Sequence, residues 1–159
     1  MKPKLLILSI AVVVLFGAGL ALVRILDKST ATQAQNTEQQ RSLINANIDE
    51  QFQLKIGQSA VMRSESLEIK FLDVAEDSRC RSDVLCIWPG KATIIISVLK
   101  NGANARDFNL TTGPSENLSV KTFNGYSIKL IKLDPYPKST QKIAPSEYIA
   151  TLVVKKSNI

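Results

Sequence analysis

The sequence predicts an all-β domain, an antiparallel β-sandwich or partly open barrel of about seven to eight strands, behind one N-terminal transmembrane helix. Three observations predict it. From Phe52 onward, short β-branched and alternating segments are separated by turn signals, with no helical periodicity among them. Asn124-Gly125 sits between two such segments as a two-residue loop, the strongest local signal for a hairpin. Leu5 to Val23 is an uncharged run of 19 residues, about 28 Å long as a helix and so close to the hydrocarbon thickness of a bilayer.

Residues 1–28 read as an anchor or signal-anchor. The apolar run exceeds the usual core of a signal peptide, and no small-residue cleavage motif lies directly behind it; the nearest candidates follow Ala31 and Ala34. Arg24, Asp27 and Lys28 form its polar flank, while Lys2 and Lys4 precede it. The positive-inside rule then leaves the N-terminus in the cytoplasm and exports the remainder to the periplasm or the exterior. Cleavage and release is the alternative. No cysteine lies directly behind the run, which argues against a lipid-anchored lipoprotein.

Residues 29–51 are rich in Gln, Asn, Thr and Ser and read as a linker or a short helix. Thr37 and Gln40 have capping-box spacing, and Ile44, Ile48 and Phe52 would share one helical face. The domain proper is expected over 52–159. Its strands are read at 53–56, 60–63, 66–74, 91–100, 106–111, 118–123, 126–133 and 147–156. Within Ser66–Val74, Leu67, Ile69 and Phe71 alternate with Glu68 and Lys70, then Leu72 and Val74 fall out of phase, which predicts a bulge or burial on both faces. Lys91–Lys100 is nearly all apolar and β-branched, the pattern of a central core strand. Asn101-Gly102 marks a turn, with a longer loop than at Asn124-Gly125, and Gly113-Pro114 and the Pro135–Pro145 stretch mark loops.

Composition narrows the chemistry. The chain has no histidine, which removes Ser-His-Asp and Cys-His catalysis and most zinc sites. The formal charge of +6 divides evenly between residues 1–28 and 29–159, so the exported part is only mildly basic and carries no nucleic-acid-binding cluster. Ser127 and Lys129 lack the S-x-x-K spacing of penicillin-binding enzymes. The sequons at Asn109 and Asn117 are near chance expectation. Neither a cofactor nor a catalytic set is expected.

The stretch EDSRCRSDVLCIWPG, Glu76–Gly90, holds the only two cysteines. In an oxidising compartment Cys80 and Cys86 are expected to pair as a structural staple. The C-x5-C spacing lacks the C-x-x-C geometry of a redox motif, and two thiols are half of a zinc site. Asp73, Glu76, Asp77 and Asp83 leave calcium open as a weaker alternative, since their spacing matches no EF-hand loop. Trp88 is expected to fill the core against the disulfide, with a surface role in ligand recognition as the alternative. Pro89-Gly90 turns the chain into the next strand. Trp88, Gly90, Asn124 and Gly125 are thus read as structural positions.

The same stretch resembles a pattern found in small exported bacterial β-domain proteins without assigned function. That motif reads roughly Asp/Glu-Ser-Arg-Cys-Pro, a few residues, then Cys-Val/Ile-Trp-Ala-Gly. Here Asp77-Ser78-Arg79-Cys80 and Cys86-Ile87-Trp88 match at the same cysteine spacing, and Gly90 matches as well. Arg81 stands in place of Pro, and Pro89 in place of Ala. The strand ending Leu133-Asp134-Pro135 and a closing strand over Tyr148–Val154 are also similar, so the resemblance covers most of the exported domain. It implies a secreted or membrane-tethered β domain, and no activity or site residues.

Together these readings give a single-pass protein, bound to the membrane through residues 5–23, with an extracytoplasmic β-sandwich in a binding or structural role. The partner is expected to be a protein, as for an accessory subunit of a membrane complex or an envelope interaction domain. A secreted inhibitor or ligand-binding domain is the alternative. A carboxylate enzyme using Asp73–Asp83 is a more distant one.

Overall fold

Residues 42–113 and 116–157 are described by the structure, a computed structural model. The anchor expected over 1–28 and most of the linker lie outside them. No helix among the described residues is long and apolar enough to cross a membrane.

Among the described residues, nine strands form two sheets around one core. They are β1 (Leu43–Asn45), β2 (Gln51–Lys55), β3 (Ser59–Met62), β4 (Leu67–Asp77), β5 (Ala92–Lys100), β6 (Ala103–Thr112), β7 (Val120–Phe123), β8 (Tyr126–Asp134) and β9 (Ile149–Lys156). One sheet has the order β1-β3-β4-β5-β6 and the other β2-β9-β8-β7. The fold is all-β, as the alternation and turns predict. The pairing is not wholly antiparallel, because β1 runs parallel to β3.

The strands follow their side-chain period. In β2, Phe52 and Leu54 are buried between exposed Gln51, Gln53 and Lys55. In β5, Ala92, Ile94, Ile96 and Val98 point into the core, and the alternate residues are half-buried on the outer face. β4 carries irregularities between Phe71 and Asp73 and between Val74 and Glu76. They put Leu72 and Val74 out of phase with Leu67, Ile69 and Phe71, and the bulge is the outcome realised. β9 lies between β2 and β8, and its run from Ala150 to Val154 is buried throughout.

Three local expectations change. The helix imagined for Ile44, Ile48 and Phe52 gives way to β1, a turn and β2, because pairing with β3 and β9 satisfies the backbone that a helix would have satisfied internally. Leu118 lies in a four-residue helix, α1 (Glu116–Ser119), before β7 rather than in the strand. Asn101-Gly102 closes a two-residue turn, since Lys100 pairs with Ala103.

The two ends of the strands differ. At one end β5–β6 and β7–β8 turn on Asn101-Gly102 (φ 54° and 68°) and Asn124-Gly125 (φ 46° and 80°). Positive φ at both central residues is what a type I′ hairpin requires. We call this the hairpin end. At the other, the loop end, lie the long connections 78–91 and 135–148 and the passage from β6 through α1 to β7.

Candidate functional site

The distinctive surface is built at the loop end, from the β4–β5 connection. The ladder continues past the strands by two bonds: the Ser78 amide donates to the Lys91 carbonyl and the Cys80 amide to the Pro89 carbonyl, both at 2.8 Å. Gly90 lies between these rungs with φ +68°, and a Cβ there would fall 1.9 Å from the Ser78 carbonyl oxygen. Only glycine fits so close a backbone approach. Cys80 and Cys86 are joined by a disulfide with Cα atoms 6.0 Å apart, which closes the loop ahead of Trp88.

Arg79 fixes this loop to the opposite sheet. Its residue is 8% exposed. Nε and Nη2 donate to the two carboxylate oxygens of Asp77 at 2.7 and 2.6 Å, Nη1 to the Leu133 carbonyl at 2.5 Å, and Nη2 to the Pro135 carbonyl at 2.9 Å. The guanidinium stands 4.9 Å from the centre of the Tyr136 ring. Tyr148 donates its hydroxyl to Asp77 at 3.1 Å. Planar donors meeting a carboxylate and two carbonyls satisfy a charge that burial would otherwise make costly. Burial by itself raises the Asp77 pKa, but the hydrogen bonds and charge of Arg79 outweigh it and hold the carboxyl below its usual range. Burial pushes the Tyr148 hydroxyl up, and the charge of Asp77 and the hydrogen bond to it push the same way.

Two further ties join the loops. Ser82 donates its amide to the Pro137 carbonyl at 2.9 Å. Asp83 accepts from the Ser139 amide at 2.9 and 3.1 Å and from the Ser139 hydroxyl. The Ser139 hydroxyl bond leads the causes that lower the Asp83 pKa.

Against this pinned base the tip is open. Leu85 is fully exposed, Ile87 91% and Trp88 80%. Val84, Leu118 and Tyr136 are exposed at the same end, leaving Leu43 and Ile131 as the other large exposed apolar side chains among the described residues. This corrects the expectation that Trp88 fills the core. The space between the loops is taken by the Arg79 guanidinium, which finds acceptors there for its N–H groups, and Trp88 turns to solvent.

Trp88 stands between two clefts. One, of about 490 Å³, also has Arg81, Lys138, Gln141, Lys142 and Tyr148 in its wall. The other, about 400 Å³, is walled by Trp88, Pro89, Thr111, Gly113 and Leu118. Among the described residues no carboxylate forms an ion pair with Arg81, Lys138 or Lys142. The end therefore offers aromatic and aliphatic contact beside cationic hydrogen-bond donors.

The acids weighed for calcium do not converge. Glu76 pairs with Lys91 at 3.1 Å, Asp77 with Arg79, and Asp83 with Ser139, while Asp73 accepts from the Val74 amide at 2.8 Å. No set of three or more His, Cys, Asp or Glu among the described residues is placed to hold a metal ion. Sequence reasoning overlooked Leu85 and Ile87. Their signal was present: two large apolar residues flanking Cys86 in an otherwise charged loop.

A second polar cluster closes the hairpin end. Tyr126 donates its hydroxyl to Glu65 at 2.5 Å, Lys100 reaches the Tyr126 oxygen at 3.1 Å and the Glu65 carbonyl, and Lys156 pairs with Glu65 at 3.2 Å. It links the two sheets, and the Tyr126 bond leads the causes that lower the Glu65 pKa.

No known protein family, curated protein or solved structure matches this chain.

Proposed function

We propose that this is a single-pass, membrane-tethered protein whose extracytoplasmic β-sandwich binds a partner through its loop end. The observation that carries the reading is the exposed tip Leu85–Trp88, held on a base pinned by the disulfide, by Gly90 and by Arg79. Exposed apolar side chains clustered on a rigid support mark interaction surfaces, because only a partner removes their contact with water. The role is binding rather than catalysis. The 19-residue run Leu5–Val23 supports the tether, and a disulfide between the only two cysteines suits an exported domain.

Intact-mass analysis and N-terminal sequencing of the protein from its native membrane fraction test the tether. The uncleaved N-terminus is expected, on a chain that resists alkaline extraction. A mature chain starting near Thr32 or Gln35 overturns it. Export is tested separately by reducing intact cells and adding a membrane-impermeant alkylating reagent. Cys80 and Cys86 should be labelled from outside.

A further inference from the structure

The loop end combines three features that point to one class of partner. Leu85 and Ile87 project almost wholly into solvent and line neither cleft, and Trp88, in the wall of both, is 80% exposed. The aromatic at the tip is tryptophan, the side chain most at home between hydrocarbon and water. Arg81, Lys138 and Lys142 are exposed, stand in the cleft wall beside Trp88 and form no ion pair among the described residues. The nearby acids have other partners: Asp77 pairs with Arg79, Glu76 with Lys91, and Asp83 accepts from Ser139, though its charge is also felt by Arg81.

We propose that the loop end docks onto an anionic lipid surface, with Leu85, Ile87 and Trp88 entering the boundary between headgroups and acyl chains and Arg81, Lys138 and Lys142 meeting the headgroup phosphates. Long cationic side chains beside a projecting apolar tip suit a bilayer interface, where the stems lie in apolar surroundings and the charges reach the phosphates. Protein interface cores, by contrast, are depleted in lysine. The disulfide and the Arg79 clamp keep the tip from folding back onto the domain, so little ordering remains to be done on docking.

The proposal builds on the tethered reading. On that reading residues 5–23 are held by a bilayer and the 18 residues 24–41 connect them to the described domain. A tether makes docking intramolecular, and a weak insertion is then enough.

Trp88 is the only tryptophan in the chain, which makes it the reporter. Full-length protein is mixed with, and reconstituted into, vesicles of phosphatidylcholine alone or with phosphatidylglycerol, each prepared with and without bromine on the acyl chains. The expected result is bromolipid quenching and a blue shift of Trp88 in anionic vesicles, weak in zwitterionic ones and reduced by salt. Replacing Arg81, Lys138 and Lys142 with Gln should weaken docking by about fivefold per cation removed. The double variant Leu85→Ser, Ile87→Ser should keep the thermal midpoint and lose the quenching. Three outcomes overturn the proposal: no quenching in either lipid, equal quenching in both, or protection of Trp88 from acrylamide that depends on protein concentration and not on lipid. The last assigns the surface to a second copy. An alkaline wash separates this from the tether: quenching by a chain that the wash releases sinks the tether and keeps the docking, and a retained but unquenched chain does the reverse.

Discussion

The two ends of the sandwich are stiffened by different means. The hairpin end turns locally, with Asn101-Gly102 and Asn124-Gly125 each closing a turn in two residues, and adds one long-range tie, the Glu65–Tyr126 cluster linking the sheets. The loop end must hold 78–91 and 135–148, and does so with several cross-links: the short Cys80–Cys86 bond, the Gly90 approach to Ser78, and the Arg79 clamp across to Leu133 and Pro135. Short turns need little help, since few residues are ordered in making them; long connections lose more entropy and need cross-links. Those ties also separate labour at the loop end. Arg79 stabilises from inside, and Leu85, Ile87 and Trp88 are left free to meet something else.

The largest expected effect comes from breaking the clamp. Asp77→Ala leaves Arg79 buried without its carboxylate and should cost about 3–5 kcal/mol in urea denaturation, with Glu65→Ala at the hairpin end costing less. A midpoint within error of the parent would show that the loop end does not depend on this pair. The acid limb carries the same information. Asp77, Glu65, Glu76 and Asp83 all have folded pKa values below their ordinary ones. Their contribution is therefore present above the unfolded values, near about 4, and is lost as pH falls through the lower folded values. Titration of stability from pH 6 to 2 should fall most steeply below about 4, and Asp77→Asn should flatten the fall.

The paired glycines sharpen the contrast. Gly90→Ala drives a methyl group into the Ser78 carbonyl and takes positive φ as well, and should cost at least about 3 kcal/mol. Gly125→Ala meets nothing within 4 Å and bears only the left-handed conformation, for about 1 kcal/mol. Equal midpoints for the two variants would remove the close approach as the reason for Gly90.

The disulfide comes next. Replacing Cys80 and Cys86 with Ser should lower stability by about 2 kcal/mol, the modest value expected of so short a loop. Thiol alkylation followed by mass spectrometry, with and without reductant, reads the bond directly, and two freely alkylated thiols before reduction would refute it. The smallest effect belongs to the tip: Leu85→Ser or Trp88→Ser should change stability by no more than about 0.5 kcal/mol. A large loss at either position would mean that the tip packs on the domain rather than serving a partner.

Legibility follows the range of the interactions. Alternation exposed Phe52, Leu54, Leu67, Ile69 and Phe71 as core, and the phase slip at Leu72 announced the irregularity in β4. Asn124-Gly125 was legible because positive φ at two successive positions is a local demand that few residues meet. The pair Cys80–Cys86 was legible from number and nearness in sequence, together with the expected export. Trp88 was misread because the burial of this loop depends on Leu133 and Pro135, far away in sequence, whose carbonyls hold Arg79 inside while Trp88 faces solvent. β1 was missed because three residues beside a parallel partner leave almost no periodic trace.

The sequence by itself determined the strand pattern, the hairpin turns, the apolar run at the N-terminus and the absence of histidine chemistry, since each rests on residue type, neighbours and covalent geometry. Only the tertiary structure decided which side chains of the Glu76–Gly90 stretch face inward. Arg79 is buried and Trp88 exposed because the carboxylate of Asp77 and two distant carbonyls together satisfy a guanidinium, and only folding brings that set of acceptors together.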